Sequence, residues 1–331
     1  MRADDEAFRK GALAALTHLA RGDTDVLAPG AQASAPHPFG ALDAQGLGTL
    51  HADLLRALPD LERRDDILLA GRNMPDDRMP GPRPSPLVAT LGAYVGTFRA
   101  PFARIPPTGG VVTLNYGEAH HFEDGRLRRS WLVWDIADLM RQAGCWPMSP
   151  PLGRPGYWPA PKGGTGLCLS PAPEEGSLER VLAMHDALHR FNGRNLGSMP
   201  MDAWADDFMY YAAGNIGACR GLDGFRAHHQ IPFLRAFPDR KGAGHFVRLS
   251  DGPFAVTGGD VALTHTGADY MGIPATGRSL RFRVMDFYHF DADGRIAENW
   301  LPNDTIGLMA QMGVDVMARM RHLTGEPSTT L

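Results

Sequence analysis

The chain has 331 residues, 44% hydrophobic and 21% charged, which excludes wholesale disorder and leaves room for two domains. Its formal charge of −4, with no basic stripe, argues against nucleic acid and membrane surfaces as partners. Three scattered cysteines (Cys145, Cys168 and Cys219) form neither a disulfide framework nor a metal pair, which fits a reducing, cytoplasmic setting. No apolar run approaches the roughly 18 residues of a membrane span, and the acidic start, MRADDE, lacks the layout of a signal peptide.

Glycine and proline together make up a fifth of the chain, and they punctuate it. A Pro-rich run over 74–86 predicts a loop in the first half. Residues 146–176 (WPMSPPLGRPGYWPAPKGGTGLCLSPAPEEG) are too rich in Pro and Gly for regular structure and divide the chain nearly in half. The expected organisation is a first domain over 1–148, a linker over 149–175 and a second domain over 176–325. Tyr157 and Trp158 suggest a linker pinned to a surface.

In the second half, apolar spacing predicts an amphipathic helix over 177–193, opened by Ser177. A strand over 208–213 follows, then a helix over 222–237 that Pro232 must kink or divide. Strands are expected over 245–249, 254–257, 261–269, 280–290 and 296–301. Asp291-Ala292-Asp293-Gly294 turns the last two into a hairpin. A helix-like run over 306–317 closes the pattern, with Asp304 placed to cap it. Helices followed by consecutive strands give an α+β architecture, with helices packed on a curved antiparallel sheet.

The first half carries the same pattern. HFEDGRLRRSWLVWDIADLMRQAG (121–144) aligns with HFDADGRIAENWLPNDTIGLMAQMG (289–313) with one inserted residue. LLRALPD (54–60) echoes FLRAFPD (233–239), GAYVGTF (92–98) echoes GADYMGI (267–273), and PPTGG (106–110) echoes IPATGR (273–278). Four matches in one order imply a duplicated domain. The first copy is the less regular, with RAPFARI (99–105) reading as an insertion and Gly117 interrupting a strand.

The segment 221–313 resembles the SnoaL-like polyketide cyclases of the nuclear transport factor 2-like superfamily. The likeness is carried by PFLRAFPD, PATGR, DGRIAENWLPND and LMAQMG. It implies two tandem cones of the cystatin-like type, each with an apolar pocket for a small, polyketide-like ligand. The implied chemistry is cyclisation or isomerisation by acid/base steps, with no metal and no cofactor. By this resemblance Asp304 is the principal acid/base, His289 an assisting residue and Asp286 a donor to an enolate oxygen. The first-domain equivalents are Glu118, His121, Trp131 and Asp135.

The residues themselves leave alternatives open. Side chains alternate along a strand, so Asp286 and His289, three apart, face opposite ways; the apolar series around Asp286 places it inside. Asp304 is equally a helix cap. Trp300, Tyr288, His265, Phe225, Phe233 and Tyr270 are expected as pocket lining or core. His228 and His229 point about 100° apart on a helix, against a joint metal site. A non-catalytic binding or scaffolding module, or a hydrolase, would share this fold. The two cones are expected to pair sheet to sheet within the chain, and further homodimerisation stays open.

Overall fold

The computed structural model describes residues 5–79, 85–164, 166–173, 175–191 and 195–325. Parts of the expected loop over 74–86 and of the expected linker, and the end of the helix expected over 177–193, lie outside them. The first half runs α1 (Glu6–Ala20), β1 (Leu27–Ser34), β2 (Ala41–Asp43), α2 (Ala44–Ala57), β3 (Glu62–Asn73), β4 (Ser85–Thr97), β5 (Val111–Glu123), β6 (Arg126–Trp134) and α3 (Ile136–Gln142). The second runs α4 (Ser177–His189), β7 (Trp204–Ala212), β8 (Cys219–Arg220), α5 (Gly221–Phe225), a π-helical turn (Arg226–Gln230), α6 (Ile231–Ala236), β9 (Lys241–Asp251), β10 (Phe254–Thr264), β11 (Ser279–Phe290), β12 (Ile296–Leu301), α7 (Thr305–Gln311) and α8 (Val316–Leu323).

The sheets have one topology. The first has the order β2-β1-β6-β5-β4-β3 and the second β8-β7-β12-β11-β10-β9. Each is antiparallel except for one parallel pair, β1 with β6 and β7 with β12. Each sheet packs helices on one face, and the chain is two α+β cones in tandem. Among the described residues no helix is long and apolar enough to cross a membrane.

Local differences from the expected elements have physical causes. The strand over 254–257 does not stop there: β10 continues through Gly258-Gly259, where the partner strand β9 bulges. A Cβ on Gly259 would sit 2.3 Å from the Gly244 carbonyl, so glycine holds the strand together there rather than breaking it. The strand then ends before His265. Pro232 sits in the first turn of α6, and the π-helical turn before it takes up its missing donor and ring. Gly313, at φ +92°, separates α7 from α8. Ser177 does not cap α4; its hydroxyl donates to the Gly252 carbonyl at 2.7 Å.

Register sharpens the duplication. Phe98 and His265 donate through their amides to the carbonyls of Gly110 and Arg278, and Gly109 and Gly277 donate back. The PPTGG and PATGR turns are therefore the same turn. The echo between 92–98 and 267–273 is not a structural equivalence. Gly92 pairs as Gly259 does, and the tight turn Phe102–Ile105 corresponds to Tyr270–Ile273. RAPFARI is thus part of the cone, not an insertion.

The sheets pack back to back. Ile67, Leu69, Leu87, Leu91 and Val133 of the first meet Val247, Leu249, Val256, Met285, Phe287 and Trp300 of the second in one buried layer. At Gly117 they approach closely: a Cβ there would lie 2.4 Å from Pro302. The connecting segment is pinned across both halves. Gly166 accepts from the Leu68 amide at 2.9 Å, Arg154 exchanges backbone bonds with Ala218, and Trp158 packs against the inter-sheet layer. Buried Arg9 of α1 adds an ion pair to Asp251 of the second half.

Candidate active site

β11 presents Phe282, Val284, Asp286 and Tyr288 on its helix-facing side and Met285, Phe287 and His289 on the other, toward the first sheet. On the helix side lies a cavity of about 190 Å³. Phe225, Phe233, Phe282, Val261 and Val284 supply apolar wall, and α4 contributes His185 and His189. Asp286, Tyr288 and Asn299 project into it from neighbouring strands, since Tyr288 and Asn299 are direct partners in the β11–β12 register.

Among the described residues no cation pairs with Asp286. Its carboxylate accepts from Asn299 Nδ2 at 3.3 Å, and that amide also donates to the Phe287 carbonyl at 3.0 Å. Burial pushes the Asp286 carboxyl up to about 7, against weaker stabilisation of its charge by Asn299 and Tyr288. Burial also raises the Tyr288 phenol well above its ordinary value, so it remains a donor. The Tyr288 hydroxyl lies 3.1 Å from His185 Nε2. His185 is pushed down to about 3 by burial and by neighbouring His245, so it is neutral.

The first cone shows the opposite outcome at matched positions. Glu118 pairs with Thr90 as Asp286 pairs with Thr257, so the two acids are equivalent. Across the same registers Arg63 corresponds to Gly242 and Tyr94 to Val261. Tyr116 corresponds to Val284, two residues before the acid on each strand. Arg63 donates to Glu118 at 2.7 Å, to Tyr94 at 2.7 Å and to Asp65 at 2.8 Å. Trp134 Nε1 adds a 2.7 Å bond to Glu118. The Arg63 guanidinium and the His120 hydrogen bond hold the Glu118 carboxyl well below its ordinary value in spite of burial. Tyr94, Tyr116 and Trp134 are at most 1% exposed and fill the space. One copy is hollow with an unpaired acid; the other is filled and ion-paired.

This comparison predicts that Val284→Tyr, the residue the first cone uses, will close the cavity. Binding of a naphthalene probe by fluorescence should be lost, while urea unfolding shifts by no more than about 1–3 kcal/mol, the usual range for added core volume.

The remaining sequence candidates lie elsewhere. His289 faces the first sheet, bonded to Glu298 at 2.9 Å and stacked on Phe254 at 4.5 Å. Trp300 is on that same side, against Tyr211, and donates to the Pro159 carbonyl at 3.1 Å. His265 is outside the cavity because β10 has already ended; its Nε2 lies 3.1 Å from the Ala268 carbonyl, and Phe98 fills its place in the first copy. Tyr270 is buried against Phe237 and likewise off the cavity.

Asp304 also stands apart from the cavity. It caps α7 through the Gly307 amide at 2.9 Å and accepts from the His37 amide of the first half at 3.1 Å. Asp135 does the reciprocal: it caps α3 through Asp138 and accepts from the Gly214 amide at 3.2 Å. The two aspartates latch the cones together around a pseudo-twofold axis. Asp304→Ala should therefore cost about 1–2 kcal/mol in urea unfolding, the range of a lost helix cap, and leave the cavity's ligand affinity unchanged. Of the other first-domain candidates, His121 is half-buried, and Trp131 stacks on Phe246 at 5.2 Å between the sheets.

Sequence reasoning missed His185, Asn299, His245 and Arg240. Asn299 had a readable signal: it precedes Trp300, so alternation puts it on the side of Asp286. The others needed the packing of α4 and of the 237–245 segment.

Fold and site define a tandem pair of α+β cones, one hollow. Residues 181–312, within the second cone, match the family model described as SnoaL-like polyketide cyclase, and the two sheets are two tandem copies of one topology. No curated protein matches. Among solved structures, the chain is similar to IdmH of Streptomyces antibioticus at 23% identity, covering 42% of this chain and 99% of that one, with a TM-score of 0.34. It is also similar to an NTF2-like protein from Burkholderia pseudomallei at 18% identity, covering 43% and 100%, with a TM-score of 0.34. A third, an NTF2-like protein from Burkholderia thailandensis, has 18% identity, coverage of 42% and 97%, and a TM-score of 0.34.

Proposed function

We propose that the second domain catalyses cyclisation or isomerisation of a small apolar carbonyl compound, with Asp286 as the proton carrier. The observation that carries this reading is an acid without a counter-cation, raised to about 7, inside an apolar cavity. The Asp286 carboxylate takes a proton from carbon next to the carbonyl. The electron pair moves to the carbonyl oxygen, where the Tyr288 phenol donates to the enolate. Neutral His185, as its Nε2–H tautomer, donates to the phenol oxygen, and the phenol proton, drawn to the Asp286 carboxylate in the free site, turns to the enolate once Asp286 is protonated. The enolate carbon then attacks a second carbonyl, whose alkoxide oxygen takes the proton from Asp286, or is reprotonated by Asp286 at another position. Either route returns the carboxylate.

The test is proton exchange at the α-carbon of benzo-fused cyclic ketones such as 2-tetralone, followed by NMR in D2O. Wild type and Asp304→Asn should exchange alike and Asp286→Asn should not. Equal exchange by all three proteins would remove Asp286 from the chemistry.

A further inference from the structure

The cavity carries a second unpaired charge. Arg240 follows the turn FPD at the end of α6 and lines the cavity wall. Its partner position in the first cone, between Asp60 and Arg63, is Leu61, an ordinary core residue at 8% exposure. The equivalence is fixed on both sides, since Thr97 and Thr264 donate to Asp60 and Asp239 in the same way. The hollow copy has thus lost the cation that neutralises the strand acid and gained one elsewhere in the same space.

Among the described residues no side chain or carbonyl bonds the Arg240 guanidinium. The arginines around it are engaged: Arg248 and Arg78 bond Asp76 at 2.8 Å, and Arg283 bonds Asp260 at 2.7 Å. Asp260 is the other carboxylate on the cavity wall, and Arg283 occupies it. Beside Arg240, His185, His189 and His245 are all pushed down by burial, so they are neutral and bring no competing charge. A guanidinium with much of its hydration removed and no partner is a costly arrangement that an incoming anion relieves. Arg240 directly precedes Lys241, which pairs with Ala262 near one end of β10, whereas Asp286 pairs with Thr257 five residues back along that strand. The cation and the proton carrier therefore act on different parts of a bound molecule.

We infer that the hollow cone selects ligands with an apolar body and a carboxylate head, and that Arg240 binds the head by a forked, charge-assisted pair of hydrogen bonds. This rests on the reading of the cavity as the ligand site. The body lies along Phe282, Phe225 and Val261, with its reactive carbonyl turned to Asp286.

Calorimetry on the full chain with matched pairs tests it: benzoate, naphthalene-2-carboxylate and decanoate, each against its primary amide at pH 7.5. At least one acid should bind wild type tenfold or more tighter than its amide. Arg240→Leu, which installs the first cone's residue, should weaken the acid at least tenfold and leave the amide unchanged. Arg240→Lys should keep part of the preference. Amides and acids binding equally to wild type would overturn the anion site while leaving the proposed chemistry standing. An acid preference that survives Arg240→Leu would overturn the assignment to Arg240. Binding of neither acid nor amide in any pair would overturn both the anion site and the cavity as a ligand site.

Discussion

Asp286→Asn is expected to lower turnover by about 10²–10⁴-fold, the usual contribution of a positioned acid/base, with substrate affinity little changed. The amide keeps the side chain's shape and can still accept from Asn299, so the cavity survives while the proton carrier is lost. In wild type kcat/KM should fall as pH drops below about 7, where Asp286 becomes protonated and stops acting as a base. The same group leaves a mark on stability. Its folded-state value is raised above the ordinary 3.8, so folding favours the protonated form. The stability it contributes is complete below pH 3.8 and is lost as pH rises through about 7. Asp286→Asn removes that loss. It should be more stable than wild type by about 2 kcal/mol at pH 8.5, a value below the full shift because the cavity admits water, with the difference shrinking toward pH 4. Urea melts at three pH values check this. A variant no more stable than wild type at pH 8.5 would show that Asp286 is solvated or paired.

Arg63→Met in the first cone should destabilise the protein by about 3–5 kcal/mol, because it strands the Glu118 carboxylate in a dry interior. Arg63 and Glu118 have side chains at most 2% exposed, and Arg63 also anchors Asp65 and Thr90. Adding Glu118→Gln should recover part of the loss, since removing both charges also removes their desolvation. The sign with pH is opposite to that of Asp286. Glu118 is held below its ordinary 4.5, so the stability it contributes is present above pH 4.5 and lost as pH falls through its depressed folded-state value. Urea unfolding of the single and double variants at pH 7 measures both terms. A single variant within 1 kcal/mol of wild type would mean that water or a shifted side chain reaches Glu118.

These two residues show why the halves differ although their topologies agree. The duplication was legible in the paired hairpins at 121–144 and 289–313 and in the PPTGG and PATGR turns, because turns and hairpins are set by residues adjacent in sequence. The echo of GAYVGTF with GADYMGI misled because short Gly-containing strings recur without shared register. Alternation separated Asp286 from His289, and they do lie on opposite sides of β11. It also separates Trp300 from Asn299, a distinction that passed unused. Asp304 was readable as a cap from its own neighbours, but its bond to the His37 amide joins positions far apart in the chain.

By itself, then, the sequence determined two α+β cones and the inward direction of Asp286, both consequences of local periodicity and turn chemistry. Tertiary structure alone decided which cone is hollow. Arg63 meets Glu118 from a different strand, and Gly242, at the matching position, brings no side chain toward Asp286. Whether a buried acid is neutralised or left to titrate depends on what the register brings across to it, and that is set by strand pairing over long sequence separations rather than by any neighbouring residue.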